Sequence, residues 1–147
     1  MNRSETAAEL FKEGFACSQA VAAACADMHD IPKEVMLAAL GGFGGGCRCG
    51  EVCGALSGAV ATIGLVFPYV TASDAEAKQL LIRKSAELSG RFREEFSAVR
   101  CTEILKTDVS TPELMQKAKE EGKTSGCPDV VRFAVGLTEE IYNSRKS

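Results

Sequence analysis

The uncharged stretch from residue 52 to residue 72 constrains the fold more than any other feature of the chain. Its length alone would suffice to span a lipid bilayer. Small, polar or helix-breaking residues dilute its hydrophobicity, and these are Gly54, Ser57, Gly58, Thr62, Gly64 and Pro68. No cluster of lysine or arginine flanks it. A helix that is apolar on all sides is also typical of the centre of a helical bundle. We therefore expect a buried helix from about Gly50 to Val66 and no membrane insertion.

The rest of the chain predicts helices joined by short turns, because no alternating strand pattern is present. The predicted helical segments are 5–13, 17–28, 30–40, 74–99, 101–106, 111–121 and 127–143. Ser73 with Glu76 forms a capping box, and Pro112 and Pro128 suit the first turn of a helix. The sequence predicts an all-α, single-domain bundle over residues 1–147, with about six to eight helices around a buried, glycine-rich central helix.

Composition limits the classes of function. The net charge of −3 comes from 17 basic and 20 acidic residues that are mixed along the chain, which argues against nucleic acid as a partner. The N-terminus carries early acidic residues and no apolar run, so we expect no secretory signal and a cytoplasmic location with reduced thiols. Seven cysteines are an odd number for a disulfide framework, and they favour metal ligation or redox turnover.

Four of the cysteines lie at or near the predicted start of a helix, and these are Cys17, Cys53, Cys101 and Cys127. The partial positive charge of a helix N-terminus stabilises a thiolate, which makes a cysteine more reactive and a better metal ligand. A bundle can bring several helix starts to one end, where four thiolates could hold zinc or an iron–sulfur cluster. No C-x-x-C pair occurs. Cys25, on an alanine-rich helix, is predicted to be an ordinary buried side chain.

The glycine-rich segment GFGGGCRCGEVCGALSG, residues 42–58, contains the other two cysteines, Cys47 and Cys49. Arg48 lies between them and places a positive charge beside both thiols. A disulfide between residues two apart closes a small, strained ring, and strained pairs are easily reduced. The two cysteines could therefore form a catalytic dithiol, supply extra metal ligands, or lie incidentally in a flexible loop.

Glycines at positions 50, 54 and 58 recur every four residues, so they would form one stripe on a helix. Glycine inside a helix is unfavourable by about 1 kcal/mol relative to alanine, so the stripe requires a reason. Close helix packing accounts best for Gly58. For Gly50 and Gly54, which flank Cys53, we favour close approach of a cofactor to the backbone amides.

The order of the cysteines resembles a family of redox-active proteins named for one cysteine, a CGAxxG motif and two further cysteines. The segments that carry the resemblance are GFACSQAV, GGFGGG, CGALSGAVATIGL and the pair Phe92 and Phe96 before Cys101. The resemblance covers nearly the whole chain. It implies that Cys17, Cys53, Cys101 and Cys127 act as one set, without Cys47 and Cys49. A related domain in split-Soret-type cytochromes is associated with an iron–sulfur cluster, so the resemblance implies such a cluster here.

The leading hypothesis is therefore a small redox protein that binds a metal centre, iron–sulfur above zinc, for electron transfer or redox sensing. Its partner would be another redox protein or a small-molecule reductant, and the small-residue surface would suit a homodimer. One alternative is a metal-free thiol–disulfide protein that uses Cys47, Cys49 and Cys53. Another is a structural zinc module for interactions. The single histidine, His29, has no partners for a hydrolase site, so no class of enzyme is indicated.

Overall fold

Helices account for nearly all the regular structure of the computed structural model, which describes residues 1–146 and confirms the all-α fold. The eight α-helices in this range are α1 (Arg3–Glu13), α2 (Cys17–Ala24), α3 (Lys33–Leu40), α4 (Gly54–Val66), α5 (Ala75–Phe96), α6 (Cys101–Leu105), α7 (Pro112–Glu120) and α8 (Cys127–Asn143). Short 3-10 turns cover Ala26–Met28, Gly41–Phe43 and Ser144–Lys146. Residues 1–146 contain no β-strand, and one isolated bridge pairs Val52 with Arg100.

Helix α4 is the central element, as its uncharged sequence predicts. It packs against α2, α5 and α8. Leu56 and Ile63 of α4 are buried in the main hydrophobic core, together with Phe92 of α5 and Val131 of α8. The core therefore forms around a helix that presents apolar or small side chains in every direction.

Small residues allow α2 and α4 to lie unusually close together. A Cβ atom at Gly58 would lie 2.5 Å from the carbonyl oxygen of Ser18 and 3.2 Å from the Cβ of Val21. The buried Ser18 hydroxyl donates a 2.6 Å hydrogen bond to the carbonyl of Leu40, and Thr62 donates to the carbonyl of Gly58. The hydroxyls are thus satisfied inside the core, where an unpaired polar group would be costly.

The start of α4 differs from the prediction, and the difference affects Gly50. The helix begins at Gly54 with Cys53 as its N-cap, and not at about Gly50. Gly50 has a φ of +76° and closes the preceding turn. Gly50 therefore does not share a helical face with Gly54 and Gly58, and Cys49 does not share one with Cys53.

The other helix ends differ less. Helix α2 stops at Ala24, because the chain turns into the 3-10 segment Ala26–Met28. Asp74, rather than the predicted Ser73, caps α5 by accepting a 3.1 Å hydrogen bond from the Ala77 amide. Helix α5 ends at Phe96, where Ser97 adopts a left-handed conformation with φ +59°.

None of the helices within residues 1–146 has the length and apolar character needed to cross a membrane.

The close packing of α2 on α4 predicts opposite effects for two glycine-to-alanine changes. Gly58→Ala should lower the free energy of unfolding by about 1–3 kcal/mol, because its Cβ would collide with the backbone at Ser18. Gly64→Ala on the same helix should raise it by up to about 1 kcal/mol, because no atom lies within 4 Å of the added Cβ. Urea unfolding followed by circular dichroism measures both changes. Equal effects of the two substitutions would contradict this account of the packing.

Candidate cysteine site

Four helix N-termini bring four cysteines to one cavity. Cys17, Cys101 and Cys127 are the first residues of α2, α6 and α8, and Cys53 is the N-cap of α4. All four line a single cavity of about 170 Å³. Cys53 and Cys101 are buried, whereas Cys17 and Cys127 are half-buried. The structure thus brings together the four cysteines that the helix-end pattern grouped.

The walls of the cavity are mostly apolar. The larger apolar side chains that line it are Phe11, Phe15, Ile104, Leu105, Met115 and Val130. Arg48 and Lys119 also line it, and no aspartate, glutamate or histidine does so among the described residues. The sequence pointed to Arg48 only as the charge between Cys47 and Cys49, and it did not identify Met115 or Lys119 as residues of this site. A lone arginine, methionine or lysine has no characteristic spacing, so the sequence carries no signal for them.

The sulfur of Cys17 has the environment of a stabilised thiolate. The Cys53 thiol donates a hydrogen bond to it, and this is the largest reason why the pKa of Cys17 falls to about 6. Burial acts in the opposite direction, and the backbone N–H groups of Gly45, Ser18 and Ala55 lower the pKa further. Hydrogen bonds to the charged form of a group favour that form. Cys17 is therefore mostly ionised at neutral pH.

Gly54 makes this arrangement possible. A Cβ atom at position 54 would lie 2.5 Å from the Cys17 sulfur and 2.9 Å from the carbonyl oxygen of Phe43. Any other residue would push Cys17 away from the start of α4. Gly54 thus allows the sulfur of Cys17 to lie against the backbone at the N-terminus of the central helix.

The other three thiols of the cavity are held protonated. The pKa of Cys53 is raised well above its usual value by its hydrogen bond to Cys17 and then by burial. Burial is the main reason why the pKa rises to about 12 for Cys101 and to about 11 for Cys127. In the metal-free protein the cavity therefore contains one thiolate and three thiols at neutral pH.

A short antiparallel pairing positions Cys53 beside Cys101. The Cys53 amide donates to the carbonyl of Val99 at 2.8 Å, and the Cys101 amide donates to the carbonyl of Glu51 at 2.7 Å. The side chains of Glu51 and Arg100 form an ion pair at 2.8 Å on the same segment. These contacts join residues about fifty positions apart in the chain, so no local sequence pattern could reveal them.

Cys47 and Cys49 lie outside the cavity. Both are exposed, and neither lines the cavity. They belong to a turn in which Gly45, Gly46, Cys47 and Arg48 all have φ between +58° and +66°. The turn is closed by a hydrogen bond from the Glu51 amide to the carbonyl of Gly46 at 3.0 Å. The turn places both thiols at the surface, while Arg48 contributes to the cavity wall.

Gly50 is also absent from the residues that line the cavity. A Cβ atom at this position would collide with the Thr102 hydroxyl and would lie 3.2 Å from the Ser110 amide. Packing against α6 and the loop that follows it therefore explains a glycine at position 50.

All seven cysteines are free thiols. Within residues 1–146, no three side chains of histidine, cysteine, aspartate or glutamate are arranged to hold a metal ion. The cavity therefore gathers thiols without fixing them around a common point.

The environment of Cys17 predicts the pH dependence of its alkylation. The rate with iodoacetamide should rise to half its maximum near pH 6, because only the thiolate reacts and its pKa is about 6. Cys53→Ala should shift this midpoint upward by about one unit, because it removes the hydrogen-bond donor. Cys101→Ala is the control and should leave the midpoint in place. Peptide mass spectrometry measures labelling at Cys17, and an unchanged midpoint in Cys53→Ala would contradict the assigned role of Cys53.

Comparisons with known proteins agree with the cysteine pattern. Residues 15–141 match the family described as "Putative redox-active protein (C_GCAxxG_C_C)". The family name gives the central motif as GCAxxG, not as the CGAxxG stated from the sequence resemblance, and in this chain the segment reads Cys53-Gly54-Ala55. A search of the curated proteins found no match, and a search of the solved structures found none either. The chain belongs to the C_GCAxxG_C_C family of redox-active proteins.

Proposed function

We propose that this protein binds an iron–sulfur cluster through Cys17, Cys53, Cys101 and Cys127, and that it serves electron transfer or redox sensing in the cytoplasm. The observation that supports the proposal is the convergence of four cysteines, each at the start of a different helix, on one cavity. An anionic, thiolate-ligated cluster is favoured where several helix N-termini meet, since each end carries partial positive charge.

The donor set fits such a group. Sulfur is the only type of metal-binding side chain in the cavity wall, because neither carboxylates nor imidazoles line it in the described part of the chain. Thiolate donors select soft metals and iron–sulfur clusters over magnesium, calcium or manganese. Because the thiols of the described residues are not yet arranged around a common point, binding requires the cysteine sulfurs to move closer together.

The backbone around Cys17 would then contribute to the redox properties. The N–H groups of Gly45, Ser18 and Ala55 donate to its sulfur. Hydrogen bonds to sulfur, net charge and solvent exposure set the potentials of iron–sulfur proteins. A bound cluster would supply reversible electron uptake. The protein would supply the ligands, the N–H donors and an apolar wall that limits contact with water.

A second candidate function follows from the Cys17–Cys53 pair. Cys17 is a thiolate, and its hydrogen-bonded neighbour Cys53 is a thiol, which are the two states that thiol–disulfide exchange requires. Cys17 would attack a disulfide substrate and release one of its thiols. Cys53 would lose its proton, displace the second thiol and close a Cys17–Cys53 disulfide. This pair differs from the dithiol of Cys47, Cys49 and Cys53 that the sequence suggested, because Cys47 and Cys49 lie outside the cavity.

Metal analysis on protein purified without oxygen tests the cluster. We expect iron, acid-labile sulfide and a visible absorption that bleaches on reduction. Alanine at any of Cys17, Cys53, Cys101 or Cys127 should remove most of the iron and the colour. Cys25→Ala is the matched control, because Cys25 is fully buried in the hydrophobic core and does not line the cavity.

Two results would contradict the proposal that the protein binds an iron–sulfur cluster. One is a Cys53→Ala variant that keeps its iron and colour. The other is colourless protein with stoichiometric zinc, which would instead indicate the structural zinc module. A Cys47→Ser/Cys49→Ser variant that retains its iron would show that the exposed pair supplies no necessary ligand.

Controlled oxidation tests the second candidate. Mild treatment of the reduced, metal-free protein with oxidised glutathione should produce a Cys17–Cys53 disulfide, because the Cys17 thiolate is the reactive member and Cys53 is its neighbour. Mass spectrometry of non-reduced peptides identifies the bond. A Cys47→Ser/Cys49→Ser variant should form it equally well. Oxidation that yields only a Cys47–Cys49 disulfide would restore the dithiol suggested by the sequence.

A further inference from the structure

The charged side chains of the cavity wall have one sign. The two charged side chains in its described lining, Arg48 and Lys119, are both cations. Lys119 lines the same cavity as Cys127. The protein as a whole carries a net charge of −3, so the charge of this cavity wall is opposite in sign to the net charge of the molecule.

Local structure holds Arg48 in this position. Its backbone is left-handed, with φ +60°, in the turn that begins at Gly45. Its Nη2 atom donates a 2.8 Å hydrogen bond to the carbonyl of Gly41. The guanidinium lies against Gly44, where a Cβ atom would be 3.2 Å from the Arg48 Cζ and 2.6 Å from the Cβ of Ala16. Arg48 is therefore placed beside the residue that precedes Cys17.

The nearby carboxylate of Glu51 does not neutralise Arg48. Glu51 pairs with Arg100 at 2.8 Å, and it does not line the cavity. The single hydrogen bond of Arg48 within residues 1–146 leaves most of its N–H donors available to a ligand. A cleft with charges of one sign and apolar walls concentrates ions of the opposite sign.

We infer that the molecule that reaches the cavity thiols is a small anion, and that Arg48 is the residue that selects it. This inference rests on the second candidate function, thiol–disulfide exchange at Cys17 and Cys53, since it names the chemical class of the reactant at those cysteines. The volume of about 170 Å³ suits a small molecule rather than a protein side chain with its backbone. The apolar wall adds a preference for an anion that also carries an apolar portion.

Two alkylating reagents that differ in charge provide the test. Iodoacetate is an anion, and iodoacetamide is its neutral counterpart. In the reduced, metal-free, full-length protein, labelling of Cys17 by each reagent is followed by peptide mass spectrometry. Arg48→Gln should lower the iodoacetate rate by about threefold or more and leave the iodoacetamide rate nearly unchanged. Added salt should reduce the advantage of iodoacetate in the unmodified protein, because it screens the cations.

The controls separate local charge from total charge. Arg48→Lys keeps the positive charge and should retain most of the selectivity for iodoacetate. Lys78→Gln removes an equal charge from an exposed position of α5 that does not line the cavity, and it should leave both rates unchanged. Circular dichroism confirms that each variant is folded.

Three outcomes would overturn the inference. The first is an equal change of both rates in Arg48→Gln, and the second is an equal loss of selectivity in Lys78→Gln. The third is the absence of labelling at Cys17 by either reagent, which would show that the cavity admits no small molecule.

None of these measurements requires a metal, so failure of the iron–sulfur proposal is detected separately by metal analysis. Arg48→Gln should also retain its iron, since Arg48 is not a ligand.

Discussion

The close contact between α2 and α4 is the interaction on which both the fold and the site depend. Gly54 and Gly58 lie one turn apart on α4, and each faces an atom of α2 at a distance that leaves no room for a Cβ. At Gly58 this contact packs the centre of the core. At Gly54 it places the sulfur of Cys17 against the N-terminus of the central helix. One glycine face therefore serves two purposes, and a shift of α2 along α4 would disturb the core and the thiolate together.

The electrostatics of the four cysteines follow from the same contact. Burial raises the pKa of every thiol in the cavity, and only Cys17 overcomes it, because a thiol and three backbone N–H groups donate to its sulfur. Metal ligation requires thiolates, so a cation that binds here must displace the protons of Cys53, Cys101 and Cys127. Metal affinity at this cavity should therefore rise with pH. A single pre-formed thiolate provides the first ligand without the repulsion that four adjacent thiolates would create.

Most of the helices and the grouping of the four cysteines could be predicted from the sequence, because both depend on local signals. Apolar periodicity, proline at first turns and the uncharged stretch fix the helices. A cysteine at a helix start can be recognised without knowing the fold. The start of α4 could not be predicted, because Gly50 and Gly54 have the same spacing as two positions on a helix. The positive φ of Gly50 and its contacts with Thr102 and Ser110, which are distant in the chain, are visible only in the fold.

No sequence rule predicts the left-handed turn at Gly45–Arg48. Left-handed backbone costs about 1–2 kcal/mol for a residue other than glycine, and here Cys47 and Arg48 both adopt it. Hydrogen bonds from Glu51 to Gly46 and from Arg48 to Gly41 hold the turn in this conformation. The conformation directs Arg48 to the cavity and leaves Cys47 and Cys49 at the surface. The chain thus exposes Cys47 and Cys49 to solvent, whereas the four cavity cysteines share a wall with the cationic side chain of Arg48.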